Sequence, residues 1–214
     1  YMGAMFRGER PQKGRLRQFN QIGVEAIGPE SASPYLDAET IALSVNILTA
    51  LGLKNFQLKI NTIGTAEDKS NFQDFLKKKL KPQLAELCGD CRDRFERNVL
   101  RILDCKNKSC RTVVAKIDLT KEWLSRPSWQ YFTTVKEALE ALGIKYTEDP
   151  NLVRGLDYYT HTVFEISDSS LGSQDALGAG GRYNNLVSEL GGPAVDAVGF
   201  ALGMERILLT LADE

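Results

Sequence analysis

Cationic side chains concentrate in one short stretch near the start of the sequence. Between Gly8 and Gln18 only Glu9 opposes the positive charge, whereas the whole chain has a formal net charge of −1. The cationic residues of this stretch are Arg10, Lys13, Arg15 and Arg17. Guanidinium and ammonium groups at this density favour an anionic partner. The residues alone leave a second interpretation open, because a charged loop is often only solvated.

An alternating pattern follows the basic stretch and predicts a β-strand, because side chains in a strand point to opposite faces in turn. One face would carry Phe19, Gln21, Gly23 and Glu25, and the other would carry Asn20, Ile22, Val24 and Ala26. The second face is mostly apolar and predicts burial, while the first offers an aromatic ring, an amide and a carboxylate to a ligand. We therefore predict a strand, a basic loop and a second strand between Met5 and Glu25.

Three later segments also combine residues that could contact a ligand. The first, Arg154 to Tyr159, reads RGLDYY and would be a loop that leads into a strand. The second, Gly178 to Tyr183, has glycine at three of its first four positions, which lets a backbone approach a ligand closely. The third, Ala197 to Arg206, is predicted to be a strand followed by a helix. Each segment also has an ordinary structural interpretation when it is taken alone.

All four cysteines of the chain lie in two close pairs. The pairs are Cys88-x-x-Cys91 and Cys105-x4-Cys110. Four thiolates at such spacing are typical of a structural zinc site. Reduced cysteines that serve as small core side chains are the alternative, and disulfides are disfavoured in a cytosolic protein. Because the two spacings are unequal, the sequence leaves both interpretations open.

The order of these segments resembles the histidyl-tRNA synthetases, a family of class II aminoacyl-tRNA synthetases. FRGERP, the basic loop, RQF and QIGVE together are similar to motif 2 of that class, and AVGFALGMER is similar to motif 3. RGLDYY resembles the first histidine-specific motif and GGRYN the second, with Asn184 where the family usually has aspartate. That departure weakens any role for residue 184. The resemblance covers essentially the whole chain and implies ATP-dependent activation of histidine, with Mg²⁺, and transfer to tRNA(His).

The resemblance assigns ATP and tRNA to the basic part of the site. Arg7 and Arg154 would hold the α-phosphate, and Arg154 would also lie near the histidine carboxylate. Phe19 would stack on adenine opposite Arg206, which would also reach the γ-phosphate. The implied catalytic residues are Arg7, Arg154 and Arg206, and the implied ATP contacts are Arg7, Glu9, Phe19 and Arg206. The acceptor end of the tRNA would meet Arg10, Gln12, Lys13, Arg15 and Arg17.

The resemblance assigns histidine to the other part of the site. The implied contacts are Gln21, Glu25, Tyr159, Gly180, Gly181 and Tyr183. Neutral imidazole has one donor and one acceptor nitrogen, so Glu25 would accept from one and the Tyr159 hydroxyl would meet the other. We expect His161, the only histidine, to be a packing or strand-surface residue, because amino-acid activation needs charge neutralisation more than a general base.

Hydrophobic spacing predicts the elements that position these segments. A helix from an Asp37 cap to Gly52 and a strand through Phe56 to Ile60, beside the first two strands, would extend the sheet. Residues 64–148 would form a mainly helical insertion, with one helix ending before Pro82 and another at Gly143. We predict the α+β class: a class II synthetase-like antiparallel sheet flanked by helices, built from residues 1–63 and 149–214.

Composition fits a globular chain, with 43% hydrophobic and 26% charged residues. No apolar run approaches the roughly 20 residues of a membrane helix, and we expect a cytoplasmic protein with no membrane partner. The family's motif 1 would precede Tyr1 and an anticodon-binding domain would follow Glu214. We therefore expect a piece of a longer, homodimeric polypeptide, with low activity alone. A histidine-binding regulatory paralogue of ATP phosphoribosyltransferase is the alternative, which the three catalytic arginines disfavour.

Overall fold

The structure is a computed structural model that describes residues 1–8, 10–11, 15–29, 31–153 and 158–213. Its strands are β1 (Met2–Phe6), β2 (Gln18–Gly28), β3 (Gln57–Thr62), β4 (Thr147–Glu148), β5 (Thr160–Ser167), β6 (Ala176–Arg182) and β7 (Asp196–Gly203). Its α-helices are α1 (Pro34–Ala50), α2 (Ala66–Leu80), α3 (Gly89–Arg97), α4 (Lys108–Val114), α5 (Arg126–Ala141), α6 (Leu186–Glu189) and α7 (Met204–Asp213). Short 3₁₀ segments cover Lys81–Glu86, Val99–Ile102 and Ser169–Gln174. None of these described helices has both the length and the apolar character that crossing a bilayer requires.

The strands join in one sheet of order β1-β2-β7-β6-β5-β3-β4 within the described part of the chain. Neighbours run antiparallel, except that β3 and β4 are parallel. The α+β class and the helix-flanked sheet are therefore confirmed. The prediction that β3 lies beside the first two strands was wrong, because β7, β6 and β5 come between them.

One face of the sheet is covered by helices. Ile22 and Val24 of β2 pack on this side, in the cluster that includes Ile41 of α1 and Phe132 of α5. The predicted alternation along β2 is thus confirmed, because the opposite side carries Gln21 and the exposed Glu25. We call the helix-bearing side the covered face and the other side the open face.

Helix α1 begins earlier than its apolar spacing indicates. Its N-cap is Ser33, whose hydroxyl accepts from the Tyr35 backbone N–H, and not Asp37 as the sequence analysis expected. Asp37 lies in the first turn and is fully buried. The predicted end at Gly52 is confirmed, since Gly52 has a φ of 100°, the left-handed conformation that favours glycine after a helix.

The predicted insertion contains two different kinds of packing. Residues between Phe72 and Trp123 form a separate hydrophobic cluster around α2, α3 and α4. Helix α5, however, contributes Phe132, Val135 and Leu139 to the core under the sheet, and β4 pairs with β3. The last part of residues 64–148 therefore belongs with the sheet, because the apolar stripe of α5 is buried against α1.

Asp68 joins the start of α2 to the start of α5. Its carboxylate accepts from the Thr65 backbone N–H at 2.9 Å, from the Ser125 backbone N–H at 2.6 Å and from the Ser128 hydroxyl at 2.5 Å. Burial alone would raise the pKa of Asp68, but the hydrogen bonds from Ser128, Thr65 and Ser125 outweigh it and lower that pKa. One buried carboxylate thus satisfies donors at two helix starts.

Replacing Asp68 with alanine is expected to lower the free energy of unfolding by about 2–3 kcal/mol, the usual cost of losing hydrogen bonds to a charged group. The difference should be fully present above the unfolded aspartate pKa of about 3.9 and shrink as the pH falls through the lower folded pKa. Urea unfolding at several pH values measures both effects. Asp74→Ala, at an exposed position of the same helix, is the control, and an equal loss in both variants would contradict the junction.

Candidate active site

The open face has a floor of small residues where β2, β7 and β6 meet. Gly199 of β7 lies opposite Glu25 of β2 and opposite Gly181 of β6. A Cβ atom at Gly199 would lie only 1.7 Å from Oε2 of Glu25. Any side chain at position 199 would displace the carboxylate, so this glycine makes room for Glu25 over the sheet.

Aromatic residues surround Glu25 at this end of the face. The Tyr183 hydroxyl donates to the Glu25 carboxylate. The Tyr158 ring lies 4.7 Å from the ring of Tyr159 and 5.8 Å from that of Tyr183, between ring centroids. A Cβ atom at Gly181 would lie 3.0 Å from the Tyr159 ring. The structure thus brings together Glu25, Tyr159, Gly181 and Tyr183, four of the residues that the sequence analysis assigned to histidine.

Two further aromatic residues at this end were missed by the sequence analysis. The phenol ring of Tyr1 lies over Gly23, where a Cβ atom would be 2.5 Å from the ring. Tyr158 contacts both assigned tyrosines. The doubled tyrosine in RGLDYY was a signal for Tyr158, whereas nothing in the residues around Tyr1 distinguishes it.

Gly180 is the assigned histidine residue that the structure does not bring to the open face. It lies opposite Phe200 of β7 and Phe164 of β5. A Cβ atom at Gly180 would lie 2.8 Å from the Phe164 ring, in the core under the sheet. Its role in this structure is close packing on the covered face, because alternation turns it away from Gly181.

The surroundings of Glu25 shift the pKa of its carboxyl group. Partial burial raises the pKa of Glu25, and the Tyr183 hydroxyl offsets part of that rise. Burial also raises the pKa of Tyr183, and the Glu25 charge raises it further. The Tyr183 phenol is therefore neutral at neutral pH and donates to the Glu25 carboxyl group. Such an acceptor suits the N–H of an imidazole or an amine.

The opposite end of the same face is cationic and aromatic. The Arg7 guanidinium carbon lies 3.7 Å from the centroid of the Phe19 ring. Arg7 therefore covers one face of Phe19, the residue that the family resemblance assigned to adenine stacking. The aliphatic part of Arg206 lies close to Gly203 of β7, and its Nη1 donates to the Ala176 carbonyl. Both arginines and Phe19 therefore meet at one end of β2.

The charges of Arg7 and Arg15 act on Arg206 at this cationic end. Burial lowers the pKa of Arg206, and repulsion from Arg7 and Arg15 lowers it further, against a weaker opposing effect of Glu165 and Asp175. An anion bound near these groups would offset their mutual repulsion. Guanidinium groups beside an aromatic ring suit a phosphate-bearing nucleotide.

Glu205 fixes α7, and with it Arg206, against β2. Its carboxylate oxygens accept from the Asn20 backbone N–H at 2.8 and 3.1 Å, and one of them accepts from Asn20 Nδ2 at 3.0 Å. The sequence analysis quoted Glu205 within the motif 3 segment without assigning it a role. Its contacts hold β2, which lies early in the chain, and α7, which lies late in the chain, in a fixed relative position.

A buried ion pair supports the strand that carries Gly181 and Tyr183. Arg182 is fully buried, and its Nε and Nη2 donate to Oδ1 of Asp37 at 2.9 and 2.5 Å. Its Nη1 donates at 3.0 Å to Oδ1 of Asn184, which also accepts from the Ala197 backbone N–H at 3.2 Å. Asn184 thus supplies one uncharged acceptor to the Arg182 side chain and to the backbone of β7.

The His161 side chain packs against α5 and does not lie on the open face. Its ring centroid lies 4.7 Å from that of Tyr131, and its backbone has a φ of 45°. Burial lowers the pKa of His161, and the Arg182 charge lowers it further. At neutral pH the imidazole is therefore uncharged and in van der Waals contact with a helix side chain.

Several assigned residues lie at the edge of the described chain or outside it. Arg154, Glu9, Gln12 and Lys13 are outside the described residues. Arg10 and Arg17 are exposed, and Arg15 is partly buried. Arg17 lines an open cleft with Phe6, Arg7, Gly8 and Gln18, and its carbonyl accepts from the Arg7 backbone N–H at 2.9 Å. The base of the basic loop is thus closed beside the cationic end of the site.

The segment before Arg154 is held on the open face. Asn61 Nδ2 donates to the Leu152 carbonyl at 3.0 Å and to the Pro150 carbonyl at 3.4 Å. Asn61 lies on β3 opposite Val163 of β5, which packs with Leu152 and Tyr159 in a small cluster. These contacts place Leu152 beside Tyr159 at the tyrosine end of the site.

Comparison with known proteins gives a consistent result over the whole chain. The family described as histidyl-tRNA synthetase matches residues 1–207. The histidine–tRNA ligase of Halothermothrix orenii is 50% identical over 211 residues, which are 99% of this chain and 50% of that protein. The ligase of Synechococcus elongatus is 51% identical over 211 residues, covering 99% and 48%. This chain therefore spans about half the length of the curated relatives it matches.

Solved structures agree with the sequence comparison. The apo histidyl-tRNA synthetase of S. aureus has a TM-score of 0.74 and 41% identity, covering 99% of this chain and 50% of that one. A Bacillus halodurans protein described as an ATP phosphoribosyltransferase regulatory subunit/histidyl-tRNA synthetase has a TM-score of 0.65 and 25% identity, covering 99% and 57%. The fold is thus shared with both, and the sequence is more similar to the first.

Proposed function

The chain belongs to the histidyl-tRNA synthetase family, and from this premise we propose that its open face activates histidine with ATP. The histidine carboxylate attacks the α-phosphorus of ATP, the bond to the bridging oxygen breaks, and pyrophosphate leaves. The resulting histidyl-adenylate then passes its acyl group to a ribose hydroxyl of tRNA(His), and AMP leaves. Neither step needs a covalent bond to the protein.

One observation carries this proposal: two chemically opposite ends share one strand face. Phe19 and Glu25 are six residues apart on β2, which corresponds to about 20 Å at 3.3 Å per residue. The first end offers guanidinium groups and an aromatic ring, and the second a carboxylate paired with a tyrosine. An adenylate has the same polarity, with a nucleotide at one end and an amino-acid side chain at the other.

Electrostatic stabilisation accounts for the activation step. Arg7 and Arg206, joined by Arg154 as the family resemblance implies, neutralise charge that develops on the α-phosphate during attack. Mg²⁺ enters with the triphosphate as part of that substrate. Phe19 and Arg206 contact the adenine, and Glu9 belongs to the same group of ATP contacts. Binding of ATP requires Arg7 to turn from the Phe19 ring toward the phosphate.

Histidine selection rests on the carboxylate end. Glu25 accepts from one imidazole nitrogen while Tyr159 meets the other, and Tyr183 holds the Glu25 carboxylate in place. Gln21 lies between the two ends, where the α-amino group of histidine would bind, and Gly181 leaves space for it. A site built for two ring nitrogens rejects analogues without them, because the Glu25 carboxyl group and the Tyr159 hydroxyl would then lack their hydrogen-bond partners.

The basic loop suits the acceptor end of the tRNA. Its proposed contacts are Arg10, Gln12, Lys13, Arg15 and Arg17, and Arg17 lines a cleft beside Arg7. Cations contribute strongly to nucleic-acid affinity through release of counterions. We expect the full-length protein to act as a homodimer in the cytoplasm.

Histidine-dependent exchange of pyrophosphate into ATP tests the proposal. The protein that carries this chain is expected to catalyse the exchange with histidine and not with other amino acids. Histidine binding without exchange would instead indicate a regulatory protein, and exchange driven by a different amino acid would contradict the assignment of the Glu25 end.

Replacing Glu25 with alanine should raise the histidine KM by about tenfold to hundredfold, the equivalent of 1.5–3 kcal/mol for a hydrogen bond to a charged group. The ATP KM should change little, since Glu25 lies at the other end of the strand. Glu25→Gln keeps an acceptor without the charge, so its histidine KM should lie between those of the unmodified protein and Glu25→Ala. Exposed Glu189 provides the control Glu189→Ala. Loss of ATP affinity with normal histidine affinity would show that the two ends of the site are assigned the wrong way round.

A further inference from the structure

The histidine-activating face makes no use of the four cysteines, which lie in the separate cluster between Phe72 and Trp123. Their sulfur atoms all lie within 4.8 Å of one another, and these four cysteines form no disulfide. Sulfur atoms in a disulfide are about 2.05 Å apart. Those around a tetrahedral Zn²⁺ are about 3.8 Å apart, because each Zn–S bond is about 2.3 Å. Cys88 and Cys105 are separated by 4.0 Å, which fits the metal and not the disulfide.

We propose that Cys88, Cys91, Cys105 and Cys110 bind one structural zinc ion. The four ligands come from three separate segments. Cys88 is the N-cap of α3 and Cys91 lies in its first turn, Cys105 follows the 3₁₀ segment Val99–Ile102, and Cys110 lies in the first turn of α4. Four thiolates fill a tetrahedral site and leave no position for substrate or water, so the ion would be structural and not catalytic.

The backbone around the sulfur atoms is arranged as a thiolate site requires. The Cys88 N–H donates to Sγ of Cys110 at 3.2 Å, which links the two cysteine pairs directly. Such donors to a ligand atom orient it and favour its charged form. Cys91 and Cys110 are fully buried, whereas Cys88 and Cys105 are partly exposed. The site is therefore enclosed on one side and accessible to an incoming ion on the other.

The elements that carry the cysteines are too short to be stable by themselves. Helices α3 and α4 have nine and seven residues, and the 3₁₀ segment between them has four. Isolated helices below about 12–15 residues are marginal in water, and small clusters often depend on a metal or a disulfide. A zinc ion would join all three segments at one point.

Metal analysis of the protein purified without added metal tests the proposal first. We expect about one zinc ion per chain. Cobalt added to the metal-free protein should give the intense visible bands of tetrahedral Co²⁺ together with thiolate charge-transfer bands. Absence of metal, iron in place of zinc, or two disulfides in protein purified under reducing conditions would each overturn the proposal.

Thiol chemistry tests it independently of any variant. In the zinc-loaded protein the four thiols should react slowly with a thiol reagent, and they should become reactive when a chelator removes the zinc. Chelation should also unfold the segment from residue 72 to residue 124, measured by amide hydrogen exchange, while strands β2, β5, β6 and β7 stay protected. Unchanged protection and thiol reactivity after chelation would show that the cysteines only pack.

Variants separate a ligand from a packing residue. Cys105→Ser should weaken zinc binding by more than the roughly 10–100-fold that loss of an outer-shell partner costs. Cys105→His should keep the zinc, because histidine nitrogen replaces a thiolate in many such sites. Arg111→Ala, on exposed Arg111 of α4, is the matched control and should bind zinc normally. Equal zinc binding by Cys105→Ser and the control would overturn the proposal without bearing on histidine activation.

Discussion

Replacing Arg7 with alanine is expected to slow histidyl-adenylate formation by about 10²–10³-fold, the range found when one preorganised donor to a developing negative charge is removed. The Arg7 guanidinium lies at the cationic end of the open face, where we propose that it stabilises the charge that builds on the α-phosphate. The histidine KM should change much less, since in the proposed site that ligand binds at the Glu25 end. Single-turnover formation of the adenylate measures the rate, and amino-acid titration measures the KM.

Two companion variants make the Arg7 result specific. Arg7→Lys keeps the charge but lacks the planar pair of donors that a phosphate accepts, so it should recover only part of the rate. Arg101→Ala removes the same charge from an exposed position in the cysteine-bearing cluster and should leave the rate unchanged. A normal adenylation rate in Arg7→Ala would remove Arg7 from the activation step.

Replacing Asp37 with alanine is expected to lower the free energy of unfolding by about 3–5 kcal/mol, because Arg182 would remain as a buried charge without its partner. The pair is fully buried and links α1 to the end of β6. Its loss should also disturb Tyr183, the next residue after Arg182. Urea unfolding measures the stability, and the histidine KM at a temperature where the variant is folded measures the effect on the site.

The double replacement Asp37→Leu with Arg182→Met distinguishes an unpaired charge from lost packing. Removing both charges is often nearly neutral, so the double variant should be more stable than Asp37→Ala alone. Glu39→Ala, on the exposed side of α1, should stay within about 0.5 kcal/mol of the unmodified protein. A double variant as unstable as Asp37→Ala would mean that the cavity and not the charge causes the loss.

Local rules predicted much of the secondary structure correctly. The alternation along β2, the end of α2 before Pro82 and the glycines that follow α1 and α5 are all present. Each depends on residues within a few positions of one another. Contacts between distant residues were not predicted. Strand β3 pairs with β5 instead of lying beside β2, and α5 packs under the sheet although it was assigned to the insertion.

The candidate site shows the same contrast between local motifs, which the sequence predicts, and distant contacts, which it does not. The family motifs indicated Arg7, Phe19, Glu25 and Tyr183, and the structure places them on one face of the sheet. The buried pair of Asp37 and Arg182 spans 145 residues. An aspartate just before the apolar spacing of α1 is typical of a helix cap, so no local pattern predicts that Asp37 is buried. Gly180 was assigned with Gly181 because both belong to the motif, but alternation turns them to opposite faces.

A crystal structure of the protein that carries this chain with a non-hydrolysable histidyl-adenylate analogue tests the central claim most directly. The imidazole should lie against Glu25 and Tyr159, the adenine against Phe19, and the phosphate-like group between Arg7 and Arg206. The ligand would then extend along β2 from one end of the open face to the other. An imidazole bound among the arginines, or an analogue bound away from β2, would contradict the account.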